Sequence, residues 1–127
     1  MWRDAIYARE GPGRAGRNRL NRQVAGLATQ VARQRGWQHV ATYGDQAPGP
    51  GRPGLSRLLA EAPGRIDLVA VDGYGRVSSN FHELNALLAQ LGGALVRVVV
   101  LRPSTGRRVA RMVANLALAD MIAGALG

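Results

Sequence analysis

Strand-like and helix-like segments alternate along the chain, which predicts an α/β fold: an open, mostly parallel sheet of four to five strands, helices on both faces, and a long C-terminal helix. Three observations carry this reading. Short strand-prone runs include IDLVAV at 66–71, apolar enough for a strand buried on both faces. Between such runs, apolar residues recur at steps of three and four. Stretches rich in glycine and proline separate the two kinds of segment.

The first strand is AIYA at 5–8, following Trp2. A loop rich in glycine and arginine, 9–19, leads into a helix whose Leu20, Val24, Leu27 and Val31 form one stripe, ended by Gly36. HVATY at 39–43 is the second strand. The segment 44–54, GDQAPGPGRPG, holds three prolines and four glycines and reads as a loop. A short helix over 55–61 turns Leu55, Leu58 and Leu59 inward. The third strand, 66–71, is followed by a loop over 73–79. Asn80 can cap a helix with the stripe Phe81, Leu84, Leu87, Leu88 and Leu91. Gly92 and Gly93 stop that helix, LVRVVVL at 95–101 is the fourth strand, and Ser104 or Thr105 opens a final helix reaching about Ala125. The division is thus a core over 1–103 and a C-terminal helix over 104–127.

In open parallel sheets, ligands sit outside the carboxyl ends of the strands. That rule brings together the loops 9–19, 44–54 and 73–79, each of which carries arginine. A chain of 127 residues with 46% apolar content can bury a real core as one domain. There is no cysteine, and His39 and His82 are far apart, so neither disulfide nor metal site is expected, and no cofactor. Apolar stretches break well short of the roughly 18 residues a membrane span needs. MWRDAIYARE lacks the apolar centre of a signal peptide, so a cytoplasmic location is expected. Net charge is +9, and all 17 basic residues are arginine, whose planar fork suits phosphate. A polyanionic partner is the natural reading; a merely soluble basic surface is the alternative.

Two readings compete for the first loop. Gly11-Pro12-Gly13-Arg14-Ala15-Gly16 satisfies the dinucleotide pattern G-x-G-x-x-G, in which backbone amides approach a pyrophosphate. A small Rossmann-like dinucleotide-binding protein is therefore one alternative. Against it, 17 glycines produce such matches by chance, and no Asp or Glu lies between Gly16 and Tyr43 to hold a ribose.

The other reading uses most of the chain. Tyr7-Ala8-Arg9-Glu10-Gly11 looks like the YARVS segment of serine recombinases, and Arg19-Leu20-Asn21-Arg22-Gln23 resembles their "sLdrQ" helix start. Tyr43-Gly44-Asp45, Gly49 and Gly51-Arg52-Pro53-Gly54-Leu55 follow their "D…SG…RPGL" loop. The strand 66–72 and Arg76-Val77-Ser78-Ser79-Asn80 resemble their hydrophobic strand and "DRLSRN". Ser104-Thr105-Gly106 and Met112-Val113 match the start of their long helix. The chain from 5 to 122 thus resembles the catalytic domain of the serine recombinase (resolvase/invertase) family.

The resemblance implies a serine attacking a DNA phosphodiester, with arginines neutralising the charge that builds on the phosphoryl oxygens. Arg9 matches the arginine beside the nucleophile, Arg52 the loop arginine, Asp45 the loop acid, Gln23 the glutamine of the first helix, and Arg76 the first arginine of "DRLSR". Two departures matter. The nucleophile position falls on Gly11, which has no side chain, and the second arginine of "DRLSR" falls on Ser79, its acid on Gly75. No intact catalytic set remains; a substitute serine, Ser78 or Ser79, is the alternative. Arg9, Arg14, Arg52 and Arg76 are the candidate DNA phosphate contacts, against the reading that they are surface arginines among 17.

The resemblance further implies that the final helix dimerises through Met112, Val113, Leu116, Ala119, Met121 and Ile122, with core packing in one chain as the alternative. No separate DNA-binding domain is expected. The implied function is a catalytically inactive, recombinase-like module that dimerises as a homodimer, or as a heterodimer with a related recombinase, and contacts DNA backbone without sequence specificity or regulates a recombinase.

Overall fold

A computed structural model of the chain describes residues 1–46, 52–78 and 80–102. Four strands, β1 (Trp2–Glu10), β2 (Trp37–Gln46), β3 (Leu68–Val71) and β4 (Arg97–Val100), form one sheet in the order β2-β1-β3-β4, all neighbours parallel. The helices are α1 (Gly13–Ala32), α2 (Pro53–Glu61) and α3 (Phe81–Gly93), with a single 3-10 turn at Tyr74–Arg76. The chain moves one way from β1 to β2 and the other way to β3 and β4. Right-handed crossovers then require α1 on one face and α2 and α3 on the other.

The core obeys that requirement. Leu27 and Val31 of α1 pack with Ile6, Leu68, Ala70 and Val99. Leu55 and Leu58 of α2 and Leu91 of α3 pack on the opposite face with Ala5, Tyr7, Val69 and Val71. Alternate residues of β1 and β3 therefore serve opposite faces, and both faces are buried. Because the chain leaves β1 toward β2 and leaves β3 toward β4, the strand order reverses at their carboxyl ends, the place where such sheets bind ligands.

Several element limits differ from the sequence expectation. β1 and β2 are longer than AIYA and HVATY, because parallel pairing carries polar ends into the ladder: Arg9 opposite Asp45, Glu10 opposite Gln46. The loop expected over 9–19 shrinks to Gly11 and Pro12, and α1 starts at Gly13. Phe81, expected inward, is 72% exposed, since it occupies the first position of α3 before that helix meets the sheet. Asn80 does cap α3, its side chain accepting from the Glu83 amide at 3.0 Å. Gly92 and Gly93 remain helical, and the left-handed residue that ends the helix is Leu95, at φ 61° and not in a strand. The amides of Leu95 and Val96 donate to the Gly92 and Leu91 carbonyls, the paired closure of a Schellman motif.

The expected helix over 104–127, with Met112, Val113, Leu116, Ala119, Met121 and Ile122, lies outside the described residues, as does Ser79. Among the described residues no helix is long and apolar enough to cross a membrane.

Candidate functional site

The carboxyl ends of β1, β2 and β3 carry most of the residues singled out from the sequence. Asp45, near the end of β2, is buried. Its Oδ1 accepts the Gly54 amide at 2.7 Å, and its Oδ2 accepts the Leu55 amide at 2.9 Å and the Tyr7 hydroxyl at 2.8 Å. Two otherwise unpartnered amides at the start of α2 are thus held by a carboxylate from a neighbouring strand. Glycine at position 54 follows from this closeness, because a Cβ there would stand 2.5 Å from the Gly44 carbonyl oxygen. Burial first, then the Asp45 carboxylate, push the Tyr7 hydroxyl up to about 12, against the opposing effect of Arg52.

Arg52 stands immediately before α2 and reaches back across the site. Its Nη2 donates to the Tyr7 hydroxyl at 2.8 Å and to the Arg76 carbonyl at 2.7 Å, and its Nη1 donates to the Val77 carbonyl. Glu83 lies 3.6 Å from the same Nη1. Arg76, on the 3-10 turn, holds Asp72 (2.8 Å), Glu10 (3.2 Å) and the Arg9 carbonyl (3.0 Å). Its guanidinium is held above the ordinary arginine range, most of all by the hydrogen bond to Asp72. The three arginine-bearing segments are therefore linked in series: Arg52 on the carbonyl of Arg76, Arg76 on the carbonyl of Arg9.

Gln23, on α1, clamps the end of β1. Its Oε1 accepts the Arg9 amide at 3.0 Å, while its Nε2 donates to the Arg9 carbonyl and to Glu10, both at 3.3 Å. It is a braced side chain and not a solvated one. The Arg9 guanidinium makes no hydrogen bond or ion pair among the described residues. Arg14 is exposed in the first turn of α1 and, with Gly13, Arg17 and Gln46, lines an open depression apart from the Arg52–Arg76 chain.

Gly11 joins β1 to α1. A Cβ built there would meet only Arg19 Nη2, at 3.5 Å, so the backbone at this position has room for a side chain that the sequence does not supply. The glycine at 16 has a different cause: a Cβ on it would come within 1.9 Å of the Gly11 carbonyl oxygen. Gln46 Nε2 also donates to the carbonyls of Gly11 and Gly13, each at 3.1 Å. Of the three glycines, Gly16 is fixed by packing on its own turn and Gly13 by a φ of 78°, while Gly11 is required by neither; no phosphate is needed to explain the pattern, and the dinucleotide reading is left without support.

At this edge Tyr7, Glu10, Arg19, Gln46, Asp72 and Glu83 make contacts for which the sequence reading assigns them no role. Only the spacing of four between Asp72 and Arg76 offered a local signal for the charged network.

A family model described as "Resolvase, N terminal domain" matches residues 5–123. No curated protein matches the chain. Among solved structures it is similar to the C-terminal catalytic domain of ISC1926 TnpA, described as an IS607-like serine recombinase, with TM-score 0.69, 23% identity, and coverage of 98% of this chain and 84% of that one. It is also similar to a resolvase family site-specific recombinase from Streptococcus pneumoniae, with TM-score 0.68, 13% identity, and coverage of 99% and 92%. The N-terminal catalytic domain of TP901-1 integrase superposes with TM-score 0.67 at 20% identity, covering 98% of each chain.

Proposed function

Because the chain belongs to the resolvase N-terminal domain family, the serine recombinases, we propose that it is a non-cleaving member: a domain that dimerises through 104–127 and touches DNA backbone with arginines at the carboxyl edge of its sheet. What supports this reading is the pairing of a kept scaffold with glycine at the position that matches the nucleophile of the resembling motif. Asp45, Tyr7, Arg52 and Arg76 form one hydrogen-bonded series, Arg76 and Gln23 both hold the Arg9 carbonyl at the end of β1, and position 11 is glycine. Losing the attacking hydroxyl removes the covalent route altogether, where losing one arginine would only slow it.

In this reading Arg9 and Arg14 meet phosphate first, since neither has an intramolecular partner among the described residues. Arg52 and Arg76, already engaged with carbonyls and carboxylates, hold the site's shape and contribute positive potential. Met112, Val113, Leu116, Ala119, Met121 and Ile122 form the dimer face. A regulatory role in mixed dimers with an active recombinase is the second reading; what favours it is that Arg52 and Arg76 are already occupied, so partner binding need not involve DNA.

The test is DNA binding across a salt series, with oligomeric state measured in parallel. Affinity for duplex of any sequence should fall with salt, at a slope of roughly −0.9 per phosphate contacted. Arg9→Ala and Arg14→Ala should each reduce that slope by about 1. A dimer with no DNA affinity at low salt would discard backbone binding and leave the mixed-dimer reading; a monomer that also fails to bind DNA would discard both.

A further inference from the structure

Glu10, the last residue of β1, places its carboxylate against Arg19 and Gln23 of α1. The resembling motif YARVS has valine at this position. The Glu10 side chain is only 15% exposed and is surrounded by donors. Arg19 Nε lies 3.2 Å from Oε2, Arg76 Nη1 lies 3.2 Å from Oε1, and Gln23 Nε2 donates to Oε1 at 3.3 Å. Two guanidinium groups and an amide converging on a pair of oxygens is the donor set that recognises a phosphoryl group. The same Arg19 stands against position 11, its Nη2 being 3.5 Å from where a Cβ would sit.

We propose that Glu10 is an internal anion occupying a phosphate-binding site made by Arg19, Gln23 and Arg76, so that the site is closed to an external phosphate while the Glu10 carboxylate remains in it. The site takes a monoester or diester phosphate oxygen pair, and its occupant here is tethered to the strand end, where it outcompetes a freely diffusing ion. Burial would raise the Glu10 pKa, but hydrogen bonding from Arg19, the Arg76 charge and the Gly11 backbone together hold it below the ordinary carboxylate range. The inference rests on the preceding reading only for the expectation that phosphate is the relevant anion. Its geometry stands without DNA.

The experiment titrates inorganic phosphate against wild type, Glu10→Ala and Glu10→Gln, holding ionic strength constant with chloride, and reads the unfolding midpoint. Wild type should respond no more to phosphate than to chloride. Glu10→Ala should show a saturable rise of about 5 °C as the freed guanidiniums bind the ion. Arg76→Ala added to Glu10→Ala should abolish that rise. Glu10→Gln, which keeps the shape but not the charge, should show a smaller saturable rise, and it decides the matter if the alanine variant does not fold. Equal responses in wild type and variants, whether all bind phosphate or none does, would overturn the proposal. A gain of phosphate binding in the variant beside absent DNA binding in the salt series would retain this inference and remove only the DNA reading.

Discussion

Replacing Asp45 tests whether the carboxyl edge is held together as the contacts imply. Asp45→Ala removes three hydrogen bonds at once: those to the Gly54 and Leu55 amides and that from the Tyr7 hydroxyl. Losing a side chain that satisfies helix N-terminal amides costs about 1 kcal/mol. Leaving the buried Tyr7 proton without an acceptor costs about 1–3 kcal/mol more. The expected loss is therefore about 3 kcal/mol, a large share of the roughly 5–15 kcal/mol typical of whole domains. Asp45→Asn keeps one acceptor but turns an NH2 toward a donor, for an expected loss of about 2 kcal/mol. Urea unfolding followed by circular dichroism gives these values from the midpoint, provided the slope is unchanged. In a double-mutant cycle, Tyr7→Phe and Asp45→Ala should couple by about 1 kcal/mol. A loss below about 1 kcal/mol for Asp45→Ala, or additivity with Tyr7→Phe within about 0.4 kcal/mol, would refute the reasoning.

Two glycines of α1 should respond with opposite sign. Gly16→Ala should destabilise, since its Cβ would lie 1.9 Å from the Gly11 carbonyl oxygen, whereas Gly26→Ala meets nothing within 4 Å and should stabilise by up to about 1 kcal/mol; thermal melts of both variants decide it. Leu95→Gly should raise stability by about 1 kcal/mol, because Leu95 is 83% exposed at φ 61° and contributes little packing there; a lower melting point would contradict this. The Arg3 hydrogen bond holds the Asp67 carboxyl below its ordinary 3.8, so its contribution is full above that pH and is lost as pH falls below it. Asp67→Asn should flatten the acid limb of a stability–pH curve. Asp4, fully buried against His39, is raised above the same 3.8 by burial, and its ionisation costs stability as pH rises past that value, a slope that Asp4→Asn should remove.

The buried framework was legible in the sequence because it follows from local pattern. IDLVAV announces a strand covered on both sides, and Asn80 ahead of an apolar stripe announces a helix start; both are found where expected, with β3 starting two residues later, at Leu68. Strand ends were not legible. Arg3, Arg9, Glu10, Asp45 and Gln46 join the ladder through backbone pairing, which leaves no periodic trace in polar residues. The end of α3 falls at the two glycines, but the left-handed position lies beyond them, on Leu95, which has no sequence signal for it. At the site, motif order pointed to Arg52 and Arg76. The partners that engage them, Tyr7, Glu10 and Glu83, come from segments 25 residues or more away in sequence and left no local signal.

The central claim is that this recombinase scaffold lacks the atom that attacks DNA. Incubating the purified chain with supercoiled plasmid, quenching with denaturant and analysing for protein–DNA adducts tests it most directly. The account predicts no adduct and no nicked plasmid at any protein concentration. A covalent phosphoserine link to DNA, mapped to Ser78 or any other serine of the unmodified chain, would contradict it.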